Sequence, residues 1–174
     1  MIQTQFISFI FFLVALSGCN LSKTPSNQNI IQPTSASQSI PADTEIVLER
    51  EECDLTCPIY KVTIFADGTV VYDGQKFVKR MGKIRSSIDK EKLAQLISEI
   101  ERINYFSLKD KYSPEGECPK VATDYPTAIT FVKLNGRSKT TEHYYGCSGS
   151  EAIQDLTSIE SKIDQAVNIQ QWIK

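Results

Sequence analysis

Two glycine-containing turn dipeptides, each placed between runs of alternating apolar and polar residues, constrain the fold of this chain most strongly. They are Asp67-Gly68, between residues 60–64 and 69–72, and Asn135-Gly136, between residues 127–134 and 137–145. Such a dipeptide between alternating runs is a strong β-hairpin signal, because both turn residues must accept positive φ. The sequence therefore predicts two hairpins, with further strands around Ile46 and Leu48 and through residues 76–83.

Between and after the hairpins, the apolar spacing changes to the helical period. Residues 89–103 predict one helix with Asp89 as its N-cap, and a second helix is predicted from Ser148, with Glu151 as the capping-box partner. The stripes are Leu93, Leu96, Ile97, Ile100 and Ile103 in the first helix, and Ile153, Leu156, Ile159, Ile163 and Val167 in the second.

The order of these elements is strands, helix, strands, helix. Consecutive strands are joined by turns that are too short for parallel crossovers, which favours antiparallel pairing. We therefore predict an α+β domain over residues 45–174, in which an antiparallel sheet built from two hairpin regions carries two helices packed on one face. A segment of this length is sufficient for one domain with a single core.

The N-terminus has the pattern of an export signal. Residues 6–16 read FISFIFFLVAL, about the length of a signal-peptide core and shorter than the roughly 20 residues that span a bilayer. The following Leu16-Ser17-Gly18-Cys19 resembles the lipobox of bacterial lipoproteins, which implies a signal peptide over residues 1–18 and acyl chains such as palmitate on Cys19. Residues 1–5 lack the usual Lys or Arg, and a plain secretory signal peptide is the alternative.

The segment after Cys19 predicts a tether. Up to residue 44 it is rich in Ser, Thr, Pro, Asn and Gln, with Lys23 and Asp43 as its only charges, so it has too little apolar surface to fold. We expect a lipidated Cys19 and a disordered tether over residues 19–44, and hence a periplasm-facing, lipid-anchored protein of the cell envelope. Asn20 is not the Asp that retains lipoproteins in the inner membrane, which favours the outer membrane in a diderm source.

Composition restricts the partners and the chemistry. The net charge of −2 and the pI near 5.5 argue against a nucleic-acid partner. No P-loop, dinucleotide fingerprint or hydrolase motif is present, and a Ser-His-Asp site would have to use His143, the only histidine. We expect no catalysis and no cofactor, and a binding or structural role. The expected partners are the membrane, through the lipid anchor, and an envelope protein or an anionic polymer.

Charge is unevenly distributed along the domain. Residues 75–87 carry five cations and no acid, whereas residues 45–54 carry five acids against Arg50 alone. The cations are Lys76, Lys79, Arg80, Lys83 and Arg85. If the two segments are neighbouring strands, their charges pair across the sheet; otherwise the basic strand faces anionic lipid or an envelope polymer.

Apart from Cys19, the chain has four cysteines: Cys53, Cys57, Cys118 and Cys147. An even number in an exported protein predicts disulfides, and four cysteines allow three pairings. We favour Cys53 with Cys57, which are close in sequence beside a proline. Cys118 with Cys147 would then tie the loop after the first helix to the end of the second hairpin.

A second interpretation of the first cysteine pair is metal chemistry. Cys53-x-x-x-Cys57-Pro58 resembles the copper-binding loop of Sco-type thioredoxin-fold chaperones, with His143 downstream as a third ligand. Two thiolates and an imidazole suit Cu(I). The resemblance implies a thiol-redox or copper-handling protein as the alternative function. In that family the cysteines open a helix, whereas Pro58 here leads into a strand pattern, so we favour the disulfide.

A longer stretch resembles a known family. Residues 53–74 read CDLTCPIYKVTIFADGTVVYDG and are followed by Phe77-Val78, which together resemble the opening of the bacterial family DUF6438. Shorter similar pieces are TDYPT at residues 123–127 and YYG at residues 144–146. The resemblance covers nearly all of residues 45–174. It implies an exported or lipid-anchored protein, brings no established catalytic residues, and leaves the function open.

Overall fold

The computed structural model describes residues 39–54 and 56–174. The predicted signal peptide, Cys19 and most of the predicted tether lie outside the described residues. The described residues belong to one compact unit. The contacts of this unit begin before Glu45, since Ile40 packs against the core and Thr44 is buried.

The described part of the chain contains nine strands, two long helices and two short helical segments. They are β1 (Glu45–Arg50), β2 (Ile59–Phe65), β3 (Thr69–Lys76), β4 (Gly82–Ser87), α1 (Lys90–Arg102), a 3₁₀ turn (Tyr105–Ser107), β5 (Lys111–Tyr112), β6 (Lys120–Val121), β7 (Thr127–Leu134), β8 (Arg137–Tyr144), β9 (Cys147–Ser148), α2 (Glu151–Ala166) and α3 (Gln170–Ile173). None of the helices in these ranges combines the length and the apolar character that crossing a bilayer requires.

Seven of the strands form one sheet in the order β4-β3-β2-β1-β7-β8-β5, and β6 pairs with β9 separately. All neighbours in the large sheet are antiparallel except β5 and β8. β1 pairs with both β2 and β7, so it joins the two hairpin regions. Both helices bury their apolar stripes in the same core cluster as the inward side chains of the strands. The predicted α+β architecture is confirmed.

The two hairpin turns differ from each other. Asn135 and Gly136 form a two-residue turn in which both have positive φ, 53° and 73°, as predicted. The first turn has three residues, and only Gly68 has positive φ, 87°. The expectation of positive φ at Asp67 is wrong, because its carboxylate instead accepts a hydrogen bond from the backbone N–H of Thr69 at 2.8 Å.

The strand predicted over residues 76–83 is also wrong in its bounds. β3 continues to Lys76, and β4 begins only at Gly82. The intervening residues 77–81 form a loop that begins with Phe77 at φ 55° and leads into Gly82 at φ 75°. Positive φ at both ends is incompatible with a continuous strand.

The helices begin at short polar side chains. Asp89 caps α1 as predicted, accepting from the backbone N–H of Lys92 at 2.7 Å. The cap of α2 is Ser150, which accepts from the N–H of Ile153, so the prediction of Ser148 is wrong. Ser148 belongs to β9, where it pairs with Lys120. All apolar residues of both predicted stripes are buried.

Candidate functional site

One row of residues crosses four strands near one end of the large sheet. The pairing register aligns Tyr60 of β2, Arg50 of β1, Ala128 of β7 and His143 of β8. Tyr60, Ala128 and His143 are buried on the face that packs against the helices. Ala128 has no side chain beyond Cβ, so it leaves space between its larger neighbours.

Two carboxylates on α2 face this row. Glu160 and Asp164 are four residues apart, which places them one above the other on the same side of a helix. Tyr145, the residue directly after β8, also reaches them. We refer to the resulting cluster as the polar junction; it consists of Arg50, Tyr60, His143, Tyr145, Glu160 and Asp164.

Asp164 connects α2 to β1 and β2. Its Oδ2 accepts a hydrogen bond from Nη2 of Arg50 at 2.8 Å, and its Oδ1 accepts from the hydroxyl of Tyr60 at 2.9 Å. The ion pair with Arg50 is largely buried, since each side chain is less than a fifth exposed. Charge-assisted hydrogen bonds of this kind are stronger than neutral ones.

Glu160 connects α2 to β7 and β8. Its side chain is fully buried. It accepts hydrogen bonds from the hydroxyl of Tyr145 and, at 3.4 Å, from Oγ1 of Thr130. Nδ1 of His143 lies 3.2 Å from its Oε2, and Nη1 of Arg50 lies 3.8 Å from the same oxygen. The carboxylate is therefore surrounded by donors from three strands and their ends.

Burial and charge act against each other on the ionisable groups of the junction. Burial alone would lower the pKa of Arg50, but the carboxylate of Asp164 raises it above its usual value overall. Burial raises the pKa of Asp164, and Arg50 offsets part of this rise. Burial raises the pKa of Tyr60 and of Tyr145, and the adjacent carboxylates add to both increases. The tyrosines therefore remain neutral donors at physiological pH.

The ring of His143 is also held inside the junction. It is only 1% exposed and stacks on the ring of Tyr145, with 4.6 Å between centroids. Its Nε2 is buried and makes no hydrogen bond within the described part of the chain. The remaining polar groups of the junction satisfy each other. The arrangement therefore ties the second helix to four strands, and its charges face inward.

Both disulfides lie at the same end of the sheet as the junction. Cys53 and Cys57 are joined in the loop between Arg50 and Tyr60, with 5.8 Å between their Cα atoms. Cys118 and Cys147 are joined with 5.2 Å between their Cα atoms. Cys147 lies two residues after Tyr145. These are the pairs that the sequence favoured. Each bridge therefore closes a loop that adjoins a residue of the junction in the sequence.

The copper alternative required both thiolates of the short pair and His143. The structure holds Cys53 and Cys57 in a disulfide and places His143 in the core against Glu160. Among residues 39–54 and 56–174, no three His, Cys, Asp or Glu side chains are placed to hold a metal ion. The described structure therefore does not bring the proposed ligands together.

The comparison with known families agrees with the resemblance in the sequence. Residues 44–167 match the family DUF6438, which is described as a domain of unknown function. The chain belongs to the DUF6438 family. No curated protein matches the chain. The matched range of this DUF6438 domain contains both disulfides and the whole polar junction.

The sequence analysis missed the acidic half of the junction. Glu160 lies on the apolar stripe of α2, four residues after Leu156 and three before Ile163, where an apolar residue is expected. A charged residue at such a position signals a buried partner. The cation that lies beside both Glu160 and Asp164 is Arg50. It precedes Asp164 by 114 residues and could not be identified without the sheet register.

Proposed function

We propose that this DUF6438 protein is an exported lipoprotein, anchored to a membrane of the cell envelope through acyl chains on Cys19, whose domain acts by binding and not by catalysis. The observation that carries the proposal is the state of the cysteines. Every cysteine in the described part of the chain is paired in a disulfide, and both bridges close loops at one end of the domain. Such bridges persist in oxidising compartments.

The sequence of the N-terminus supports export and anchoring. An apolar core of signal-peptide length precedes Leu16-Ser17-Gly18-Cys19, the segment that resembles a lipobox. Two or three acyl chains bury enough CH₂ groups, at about 0.8 kcal/mol each, to hold a protein durably on a bilayer.

The polar junction supports a non-catalytic role. A general base or nucleophile has to reach a substrate, but Glu160 and His143 are almost completely buried. Arg50 and Asp164 are engaged with each other and with the two tyrosines. We therefore assign the junction to the stability of the fold, and expect ligands to contact the outer surface.

The anchoring proposal is tested with the full chain produced in a bacterium. We expect the unaltered protein to incorporate labelled palmitate and to enter the detergent phase on phase partitioning. Cys19→Ala should lose the label and leave the detergent phase or remain unprocessed. Gly18→Ala is the matched control, because it keeps a small residue beside the cysteine and should behave as the unaltered protein.

The same preparation distinguishes binding from thiol chemistry. If the purified protein shows no free thiols without a reductant, and no uptake of Cu(I), the proposal stands. Free thiols at Cys53 and Cys57, with Cu(I) uptake that His143→Ala abolishes, would favour the copper-handling alternative. Equal palmitate incorporation by Cys19→Ala would contradict the anchoring proposal.

A further inference from the structure

The loop between β3 and β4 and the strand residues that flank it form a basic and partly apolar surface. We refer to residues 76–85 as the basic hairpin. Phe77 is 44% exposed and Met81 is 63% exposed, and both lie in the loop. The same ten residues carry five exposed cations and no acid: Lys76, Lys79, Arg80, Lys83 and Arg85.

Most of these cations have no acidic partner. The acid-rich residues 45–54 are not neighbours of β4, because β2 and β3 lie between β1 and β4. One ion pair links the two charged segments, between Lys76 and Glu52. Asp73 lies opposite Lys83 in register but forms no ion pair with it. Within the described ranges, the other four cations of the hairpin make no ion pair.

The loop is held in one shape by the domain beneath it. The N–H of Arg80 donates to the carbonyl of Trp172 at 2.9 Å, and Val78 packs against the core. Phe77 has a φ of 55°, which is rare for a bulky residue and persists only where the surrounding structure enforces it. The exposed side chains of Phe77 and Met81 therefore lie on a loop that the rest of the domain holds in a fixed conformation.

Protection of the sheet edge explains only part of this surface. β4 is an edge strand, and exposed lysines and arginines on an edge strand prevent edge-to-edge pairing. This accounts for Lys83 and Arg85, which lie in β4. Phe77, Lys79 and Arg80 precede the strand and have no edge to protect. Exposed apolar side chains would instead promote association if nothing covered them.

We propose that the basic hairpin docks on the surface of a bilayer that contains anionic phospholipids. Phe77 and Met81 enter the boundary between headgroups and acyl chains, and the four unpaired cations face the lipid phosphates. A soluble anionic polymer would engage the cations but would leave both apolar side chains exposed to water. This inference goes beyond the proposed function and does not require lipid on Cys19.

The test uses residues 37–174, a compact unit that contains the core, both long helices and both disulfides. Binding is measured by sedimentation with vesicles of neutral phosphatidylcholine, and with vesicles in which part of this lipid is replaced by anionic phosphatidylglycerol. We expect binding to the anionic vesicles to be at least about tenfold stronger than to the neutral ones, and to weaken as salt is added.

Two variants and one control separate the contributions. Lys79→Glu with Arg80→Glu should weaken binding to anionic vesicles at least about tenfold. Lys120→Glu with Lys133→Glu changes the net charge equally at exposed sites outside the hairpin, and should weaken binding much less. Phe77→Asn removes the apolar ring while tolerating positive φ, so it should weaken vesicle binding without lowering the melting temperature.

Three results would overturn the proposal. The first is no preference for anionic over neutral vesicles. The second is an equal loss of binding in the Lys120→Glu/Lys133→Glu control, since this would reflect net charge alone. The third is unchanged vesicle binding by Phe77→Asn together with dextran sulfate binding that only Lys79→Glu/Arg80→Glu weakens, which would identify an anionic polymer as the partner.

Discussion

Nη2 of Arg50 lies 2.8 Å from Oδ2 of Asp164, which ties the central strand of the sheet to the second helix. β1 is the strand at which the two hairpin regions meet, so this single contact links both halves of the sheet to α2. Both groups are withdrawn from most of the surrounding water, and each therefore depends on the other for stabilisation.

Replacing Arg50 by Met should destabilise the domain strongly. The substitution keeps much of the side-chain volume but leaves two buried carboxylates, Asp164 and Glu160, without their cation. Breaking a buried ion pair in this way typically costs about 3–5 kcal/mol of the free energy of unfolding. Denaturant unfolding of residues 37–174 measures the loss. In Arg50→Met/Asp164→Asn we expect part of it to be recovered, and strictly additive losses would argue against the coupling.

Asp164 should make stability depend on pH in the direction opposite to most carboxylates. Its pKa is raised in the folded state, mainly by burial, above the ordinary value of 3.8. Between pH 3.8 and this raised pKa, the folded state therefore keeps a proton that the unfolded state releases. The stabilisation from this group is complete below 3.8 and is lost as the pH rises through the raised pKa.

The measurement is the free energy of unfolding of the unaltered protein minus that of Asp164→Asn, followed from about pH 4 upward. This difference should fall as the pH rises, because only the unaltered protein loses the contribution of Asp164. A difference that rises with pH would mean that Arg50 outweighs burial and that the pKa of Asp164 is lowered.

The two disulfides should differ in their contribution to stability. Cys118–Cys147 closes a loop with a sequence separation of 29, and Cys53–Cys57 one with a separation of 4. In the chain-entropy model these loops correspond to about 3.6 and about 2 kcal/mol. Cys118→Ala/Cys147→Ala should therefore melt at a lower temperature than Cys53→Ala/Cys57→Ala. The reverse order would mean that the short bridge supports the loop beside Arg50 and Tyr60 more than its length suggests.

Features encoded by neighbouring residues could be predicted from the sequence. Asn135 and Gly136 specify a two-residue turn because both accept positive φ, and the structure contains this turn. Asp89 caps α1 because its carboxylate is three residues from a free N–H. Asp67 misled the prediction, because its side chain satisfies the N–H of Thr69 and allows a three-residue turn.

Features that depend on residues far apart in the chain could not be predicted from the sequence. The polar junction exists because the register aligns Tyr60, Arg50 and His143 across the sheet, and no local pattern specifies the pairing of β1 with β7. The four unpaired cations of the basic hairpin have the same origin. They lie away from the acid-rich residues 45–54 because two strands lie between β1 and β4. Spacing along the chain carries no information on either arrangement.

Ser150 and Ser148 provide a direct test of where α2 begins. The hydroxyl of Ser150 accepts a hydrogen bond from the N–H of Ile153, so Ser150→Ala should cost about 1 kcal/mol of the free energy of unfolding. The side chain of Ser148 is exposed, and Ser148→Ala should change stability by less than about 0.5 kcal/mol. Equal losses in the two variants would contradict the assigned cap.

Gly74 is the position on β3 over which the loop of the basic hairpin folds. A Cβ at this residue would lie 2.1 Å from the carbonyl oxygen of Arg80 and 2.6 Å from the hydroxyl of Tyr72, so the backbone of the loop would have to move. We expect Gly74→Ala to cost about 3 kcal/mol of the free energy of unfolding, as overpacking against backbone does. Gly82→Ala is the control, because its Cβ would meet no atom within 4 Å and only its φ of +75° is unfavourable, at about 1 kcal/mol. If Gly74→Ala were no more destabilising than Gly82→Ala in thermal or denaturant unfolding, the loop would not be packed on β3, and the fixed presentation of Phe77 and Met81 would have no structural basis.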